Sequence, residues 1–326
     1  MYNEDKQSQP RTPKLIAIVG PTASGKTSLG IALAKKFDGE IISADSRQVY
    51  RGMDVGTAKA TGAERAAIPH HLIDIREPNE DYAVAEFKHE AETAIDDIVA
   101  RGKLPVMVGG TGLYVRAVLE NLDIPEIKAD PELRRALEDE IARDGIATVF
   151  ERLIALDPEA AYIVDPKNPR RIVRALEVAT ITGKPFTSQR RKNEPRYDTL
   201  EVGINLPSEI LRERIDRRID NMVRDGLVDE VKKLLTKYGN GGAKDNGNTA
   251  AYPIAFDAIG YREIIDYLDD QSSLEDAVAA MKMNTWHFAK RQITWFKKDK
   301  AIRWIDSGEG AERGAEKIVE EFISSQ

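Results

Sequence analysis

Between the apolar run Leu15-Ile16-Ala17-Ile18-Val19 and a helical pattern from Ser28 to Phe37 stands the segment Gly20-Pro21-Thr22-Ala23-Ser24-Gly25-Lys26-Thr27. A β-rich run, a glycine loop of this spacing and a helix start form the context of a P-loop, in which backbone N–H groups and a helix N-terminus face an anion. Lys26 adds a mobile positive charge. Thr27 can place its hydroxyl on a Mg²⁺ that shares the phosphate oxygens. A plain glycine turn between strand and helix is the alternative, and the loop does not say which phosphate compound it holds. The fold class it predicts is α/β, with a parallel sheet like that of P-loop NTPases.

The 326 residues suffice for a full core, and 41% apolar with 32% charged residues is the balance of a globular protein. There are no cysteines, which excludes disulfides, thiolate zinc sites and thiol nucleophiles and suits a reducing compartment. A metal, if bound, is held by oxygen. No apolar run approaches the roughly 18 residues of a membrane span. Residues 1–13 are polar and read as a disordered tail, so the expectation is a cytoplasmic enzyme without a membrane segment.

Glu40-Ile41-Ile42-Ser43-Ala44 reads as a second parallel strand whose C-terminal end delivers Asp45. Ligands of open α/β sheets sit outside the carboxyl ends of the strands, so Asp45 and the P-loop are expected to face one crevice. A helix N-cap is the other use for Asp45. Pro69 to Ile75 reads as a strand, on which the neighbouring His70 and His71 point to opposite faces and make a poor metal pair. Val84, Phe87, Ala91, Ile95 and Ile98 predict an amphipathic helix over 83–101. Leu104 to Val108 is a further buried strand, ending in Gly109-Gly110-Thr111-Gly112-Leu113-Tyr114. Many P-loop NTPases carry an acid at such a strand end for Mg²⁺ and the attacking water. Here glycines replace it, either for a tight turn or to admit something bulky against the backbone.

From Leu119 to about Leu200 the α/β alternation lapses. Asp130 is placed to cap a helix with Pro131 at its first position, and helices follow at 146–156, 158–163 and 168–182. The predicted organisation is a core of 14–119 and 200–326 with a helical insertion, 120–199, that caps the crevice and contacts RNA. The net charge is −7, yet residues 166–200 hold nine basic residues against three acidic ones, a local balance of +6. Distribution matters more than the sum, and this stretch is a candidate phosphate-backbone surface. Leu200 to Leu206 returns to strand character, and the helix 208–224 is expected to bury Leu211, Ile215, Ile219, Met222 and Val223. Its Arg214, Arg217 and Arg218 either form a solvated face or reach the crevice. Gly239 to Thr249 reads as a flexible loop, followed by helices at 260–268 and 274–296, a strand at 301–305 and a last helix at 311–323. Between Lys290 and Lys298 basic and aromatic residues interleave, which suits phosphates and exposed bases, although Trp295 and Phe296 also suit a core.

Eight segments in order resemble the tRNA dimethylallyltransferase family in its bacterial form. They are the P-loop 20–27, Ser-Ala-Asp-Ser-Arg-Gln-Val-Tyr at 43–50, Met-Asp-Val-Gly-Thr-Ala-Lys at 53–59 and Pro-His-His-Leu-Ile-Asp-Ile at 69–75. The others are Gly-Gly-Thr-Gly-Leu-Tyr at 109–114, Asn-Pro-Arg-Arg-Ile-Val-Arg-Ala-Leu-Glu-Val at 168–178, Ile-Gly-Tyr-Arg-Glu at 259–263 and Ala-Lys-Arg-Gln-Ile-Thr-Trp-Phe at 289–296. The resemblance implies that residues 20–27 hold dimethylallyl diphosphate, with Mg²⁺ at Thr27, and that Asp45 is the general base toward an adenine amine. It implies that Thr111 and Arg218 line the reaction channel and that the target base is flipped out of the anticodon stem-loop. The tRNA contacts it implies are Asp45, Ser46, Arg47 and Gln48; Arg170, Arg171, Ile172, Val173 and Arg174; Asp257, Gly260, Tyr261 and Arg262; and Lys290, Arg291 and Gln292. No obligate protein partner is implied. The polar 239–249 segment departs from the family pattern. Two rivals stay open at the level of sequence: a P-loop kinase of small molecules or nucleosides, and a non-enzymatic RNA-binding protein dependent on a nucleotide.

Overall fold

The run Leu15 to Val19 is wholly buried, as a strand covered on both faces must be. In the computed structural model, which describes residues 12–125, 127, 130–189, 192–239, 252–308 and 310–325, it forms the heart of a six-stranded sheet. The strands are β1 (Lys14–Val19), β2 (Gly39–Ala44), β3 (His70–His71), β4 (Leu104–Gly109), β5 (Asp198–Asn205) and β6 (Arg303–Asp306). Their order is β3-β2-β4-β1-β5-β6, and every pairing is parallel. Parallel neighbours need crossover connections, which the intervening helices supply. The register brings strand ends level, because Val19 and Ala44 both pair with Gly109. Gly20, Asp45 and Gly110 therefore leave the sheet side by side.

The α/β expectation holds, and most elements fall where periodicity places them. The helices Ser208–Arg224 and Leu274–Phe296 have the expected limits. The expected strand over 69–75 shrinks to His70–His71, because Leu72 and Asp74 turn into the left-handed region at φ 62° and 57°. Neither histidine faces a metal cluster: His71 Nε2 contacts Glu40 Oε2 at 2.7 Å and His70 Nδ1 contacts the Ile68 carbonyl at 2.8 Å. Residues 1–11, Arg190, Arg191 and 240–251 lie outside the described residues, and with them most of the expected tail and the 239–249 loop. No helix among the described residues is long and apolar enough to cross a membrane.

The chain divides into two units. One comprises residues up to Ala83, Phe87–Leu119 and Arg196 onward, and contains the whole sheet. The other, Val84–Glu86 with Glu120–Pro195, is helical. Its helices Pro131–Asp144, Ile146–Leu156 and Pro169–Thr182 bury Leu137, Val149, Leu153, Ile172, Val173 and Leu176. Asp130 caps the first, its Oδ1 accepting the N–H groups of Glu132 and Leu133 at 3.0 Å each. Pro131 holds the first helical position, where a missing N–H costs nothing. Asn168 and Pro169 repeat the device in the third helix, with Asn168 Oδ1 accepting the Arg171 N–H at 3.2 Å.

Candidate active site

The strand register converts neighbouring sequence motifs into one cleft of about 370 Å³ within the sheet-bearing unit. The P-loop enters it as a strained turn, with Ala23 at φ 62° and Gly25 at φ 94°, before the helix Lys26–Lys36 begins. Alternation of this kind gathers N–H groups into an anion-binding concavity. Lys26 Nζ donates to the Pro21 carbonyl at 3.1 Å. Burial, and then the charge of Arg218, pull the Lys26 ammonium down to about 8, against a smaller upward pull from Asp45. Arg218 is also lowered by burial, with Asp45 as its opposing charge.

Arg218 stands one helical turn beyond Arg214 on the helix that follows β5, and both turn toward the P-loop. Arg214 Nη1 donates to the Ser24 carbonyl at 3.3 Å, while Arg217 stays on the exposed face. Of the three arginines, two thus reach the crevice.

Asp45 lines the same cleft as Lys26, Thr27, Thr111 and Arg218. Its Oδ1 accepts the Arg47 N–H at 2.9 Å, a turn that fixes the carboxylate at the strand end rather than at a helix cap. Thr111 bridges the ends of β4 and β2: its N–H donates to the Ala44 carbonyl at 3.2 Å and its Oγ1 accepts the Ser46 N–H at 3.1 Å. The glycines around it do admit bulky groups. An added Cβ would strike the Ala44 carbonyl at Gly109, the Gln292 carboxamide at Gly110 and the Trp295 indole at Gly112.

A further wall escapes sequence reading. Glu230, in the helix Leu227–Tyr238, accepts the N–H groups of Asp54 at 3.0 Å, Val55 at 2.7 Å and Gly56 at 3.1 Å, and the Tyr261 hydroxyl at 2.6 Å. Tyr261 is buried, and its ring fills the space a Cβ on Gly56 would need. The loop so held presents the Thr57 carbonyl to Gln48 Nε2 at 3.2 Å and to Arg218 Nη2 at 3.5 Å. From the long helix Leu274–Phe296, Thr285, Phe288 and Arg291 complete the lining.

A family model described as IPP transferase matches residues 48–299. The tRNA dimethylallyltransferase of Halalkalibacterium halodurans is 45% identical over 296 residues, covering 90% of this chain and 91% of the relative. That of a Roseiflexus species is 48% identical over 284 residues, covering 87% and 90%. The chain belongs to the IPP transferase family. The crystal structure of a tRNA isopentenylpyrophosphate transferase from Bacillus halodurans matches with a TM-score of 0.68 at 40% identity, over 96% of this chain and 97% of that one. A eukaryotic dimethylallyltransferase acting on tRNA matches with a TM-score of 0.77 at 30% identity, over 96% of this chain and 80% of that one.

Within this IPP transferase, the residues expected to touch RNA separate by exposure. Arg170, Arg171, Arg262, Lys290 and Arg291 are exposed; Ser46, Arg47, Gln48 and Asp257 are half-buried and line the cleft. Gly260 and Tyr261 are buried in the core, and Ile172 and Val173 in the core of the helical unit, so these four offer RNA no side-chain surface. Arg174 is bound to the buried Glu177 at 2.6 Å, beside Arg134 at 2.8 and 3.0 Å. Arg262 pairs with Asp257 at 2.6 Å. Gln292 is buried and spends its carboxamide on protein groups.

For Mg²⁺ the fit rests on one protein hydroxyl. Thr27 lines the cleft beside Lys26, and the described residues contain no cluster of three acidic or imidazole groups. Mg²⁺ is commonly held by one or two protein oxygens together with substrate phosphates, so this donor set fits an ion carried with a diphosphate.

Proposed function

We propose that this chain transfers a dimethylallyl group from dimethylallyl diphosphate to N6 of the adenine 3′ of the anticodon in tRNA, releasing diphosphate. The observation that carries the reading is the convergence of Asp45, Lys26 and Arg218 with the P-loop in one cleft. A carboxylate, two cations and an amide-rich loop suit a nucleophile that must lose a proton while a polyanion departs. The exocyclic amine attacks the allylic carbon, the carbon–oxygen bond breaks, and the N6 proton passes to the Asp45 carboxylate. Lys26, Arg218 and the P-loop amides stabilise charge on the leaving diphosphate. Thr27 would hold Mg²⁺, which when bound neutralises the same charge.

The adenine must leave its stack to reach the cleft. Ser46, Arg47, Arg262, Lys290 and Arg291 of one unit, with Arg170 and Arg171 of the other, are the residues we assign to the RNA. A tRNA substrate, reducing surroundings fit for a chain without cysteine and the absence of a spanning helix among the described residues favour the cytoplasm. The test is incubation with Mg²⁺, unmodified tRNA and dimethylallyl diphosphate, followed by digestion and mass analysis of nucleosides. Prenylated adenosine is the expected product. Unmodified adenosine there, with turnover of ATP in a parallel incubation that contains ATP, would replace this reading by a kinase.

A further inference from the structure

Gln292 lies on the buried face of the helix Leu274–Phe296, in step with Ala289 and Phe296, and only 6% of it is exposed. A carboxamide in such a stripe must find partners, and both of its ends do. Its Oε1 accepts the Thr22 N–H at 2.8 Å and its Nε2 donates to the Gly110 carbonyl at 2.8 Å. Thr22 is the third residue of the P-loop, and Gly110 precedes Thr111. On the same helix Arg291 lines the cleft, and Lys290 is exposed.

We propose that Gln292 is a positioning residue for the transfer. One side chain fixes the phosphate loop against the Thr111 turn and ties both to the helix bearing Lys290 and Arg291. RNA on that helix and diphosphate in the loop therefore strengthen each other's binding. The inference rests on the reaction proposed above.

The chemistry requires an acceptor at one end of the side chain and a donor at the other. Glutamine supplies both; glutamate would keep the acceptor for Thr22 but set its second oxygen against the Gly110 carbonyl oxygen. Methionine keeps the length and makes neither bond. A loop released at Thr22 loses part of the preorganisation on which stabilisation of a leaving anion depends. Coupling between two ligands is reciprocal, so it can be read from either one.

The experiment titrates wild type, Gln292→Glu and Gln292→Met with inorganic pyrophosphate and Mg²⁺, with and without an anticodon stem-loop RNA. Thermal melts and the KM for dimethylallyl diphosphate accompany it. In the wild type, RNA should tighten pyrophosphate binding about tenfold, the worth of a well-made buried hydrogen bond. Both variants should lose most of that enhancement and show a raised KM for the diphosphate substrate, while RNA affinity without pyrophosphate stays near wild type. The near-isosteric Gln292→Glu serves if Gln292→Met fails to fold. Retained enhancement in a folded variant, or none in the wild type, overturns the inference while the transfer reaction stands. A wild type that binds neither ligand overturns both.

Discussion

Lys26 and Arg218 are like charges held at one cleft: after burial itself, the Arg218 guanidinium is the strongest influence drawing the Lys26 ammonium down to about 8. Asp45 acts on both from the other side, raising each. Two desolvated cations against one carboxylate form a site whose electrostatics are relieved when a polyanion arrives.

Binding and stability therefore respond to pH in opposite senses. Lys26 is depressed below its ordinary 10.5, so between about 8 and 10.5 the unfolded chain binds more protons, and this group's contribution to stability rises with pH. Diphosphate prefers the ammonium form, so pyrophosphate affinity falls as pH climbs through about 8. Lys26→Met should weaken pyrophosphate binding about 100-fold and flatten this pH dependence, in keeping with a lost charge-assisted contact. The same variant should melt higher than wild type below pH 8, where the buried ammonium is charged. Calorimetric titrations with parallel melts across this range check both halves.

Asp45→Asn keeps an acceptor for the Arg47 N–H but removes the base. Transfer should fall by about 10²–10⁴-fold, the usual worth of general base catalysis, with RNA affinity within about twofold of wild type. Since Asp45 raises Lys26, its loss should also move the pyrophosphate titration to lower pH. Single-turnover assays with nucleoside mass analysis measure the first effect. A collapse of RNA binding would make Asp45 a positioning group instead.

What the sequence made legible was whatever local pattern dictates. Buried parallel strands are near-continuous apolar runs, so β1 and β4 stand out, and the strand-end rule brings Asp45 to the P-loop before any register is known. Side-chain partnership across distant segments leaves no such trace. Glu230 holds a loop 174 to 176 residues earlier in the chain, and nothing near it in sequence marks it. Gln292 did leave a signal, a polar residue in step with Ala289 and Phe296, but the neighbouring Lys290 and Arg291 drew it into the RNA assignment. Ile172 and Val173 came with the arginines around them, although helical periodicity alone turns them inward.

RNA affinity should decline steeply with salt if the exposed cations neutralise phosphates. Arg171→Ala and Lys290→Ala should each reduce the slope of log K against log salt by roughly 0.7–0.9 and leave the preference among RNA sequences unchanged. Filter binding of an anticodon stem-loop at graded salt measures this. Slopes equal to wild type would remove both residues from the interface.

Arg174 should behave differently from its neighbour Arg171, because it serves Glu177. Burial alone would raise the Glu177 carboxyl, but hydrogen bonds from Arg134, Arg174 and the Asp130 N–H carry it below its usual value. Its stabilising contribution is thus complete above about 4.5 and is lost as pH falls through the lowered value. Breaking a buried ion pair outright costs about 3–5 kcal/mol, but Arg134 remains bidentate and Arg174 is partly solvated, so Arg174→Ala should cost about 1–2 kcal/mol. The loss should be local to the helical unit. Hydrogen exchange should show faster amides across 130–182 at neutral pH, with the salt slope for RNA unchanged. Intact protection with a reduced slope would instead place Arg174 on a phosphate.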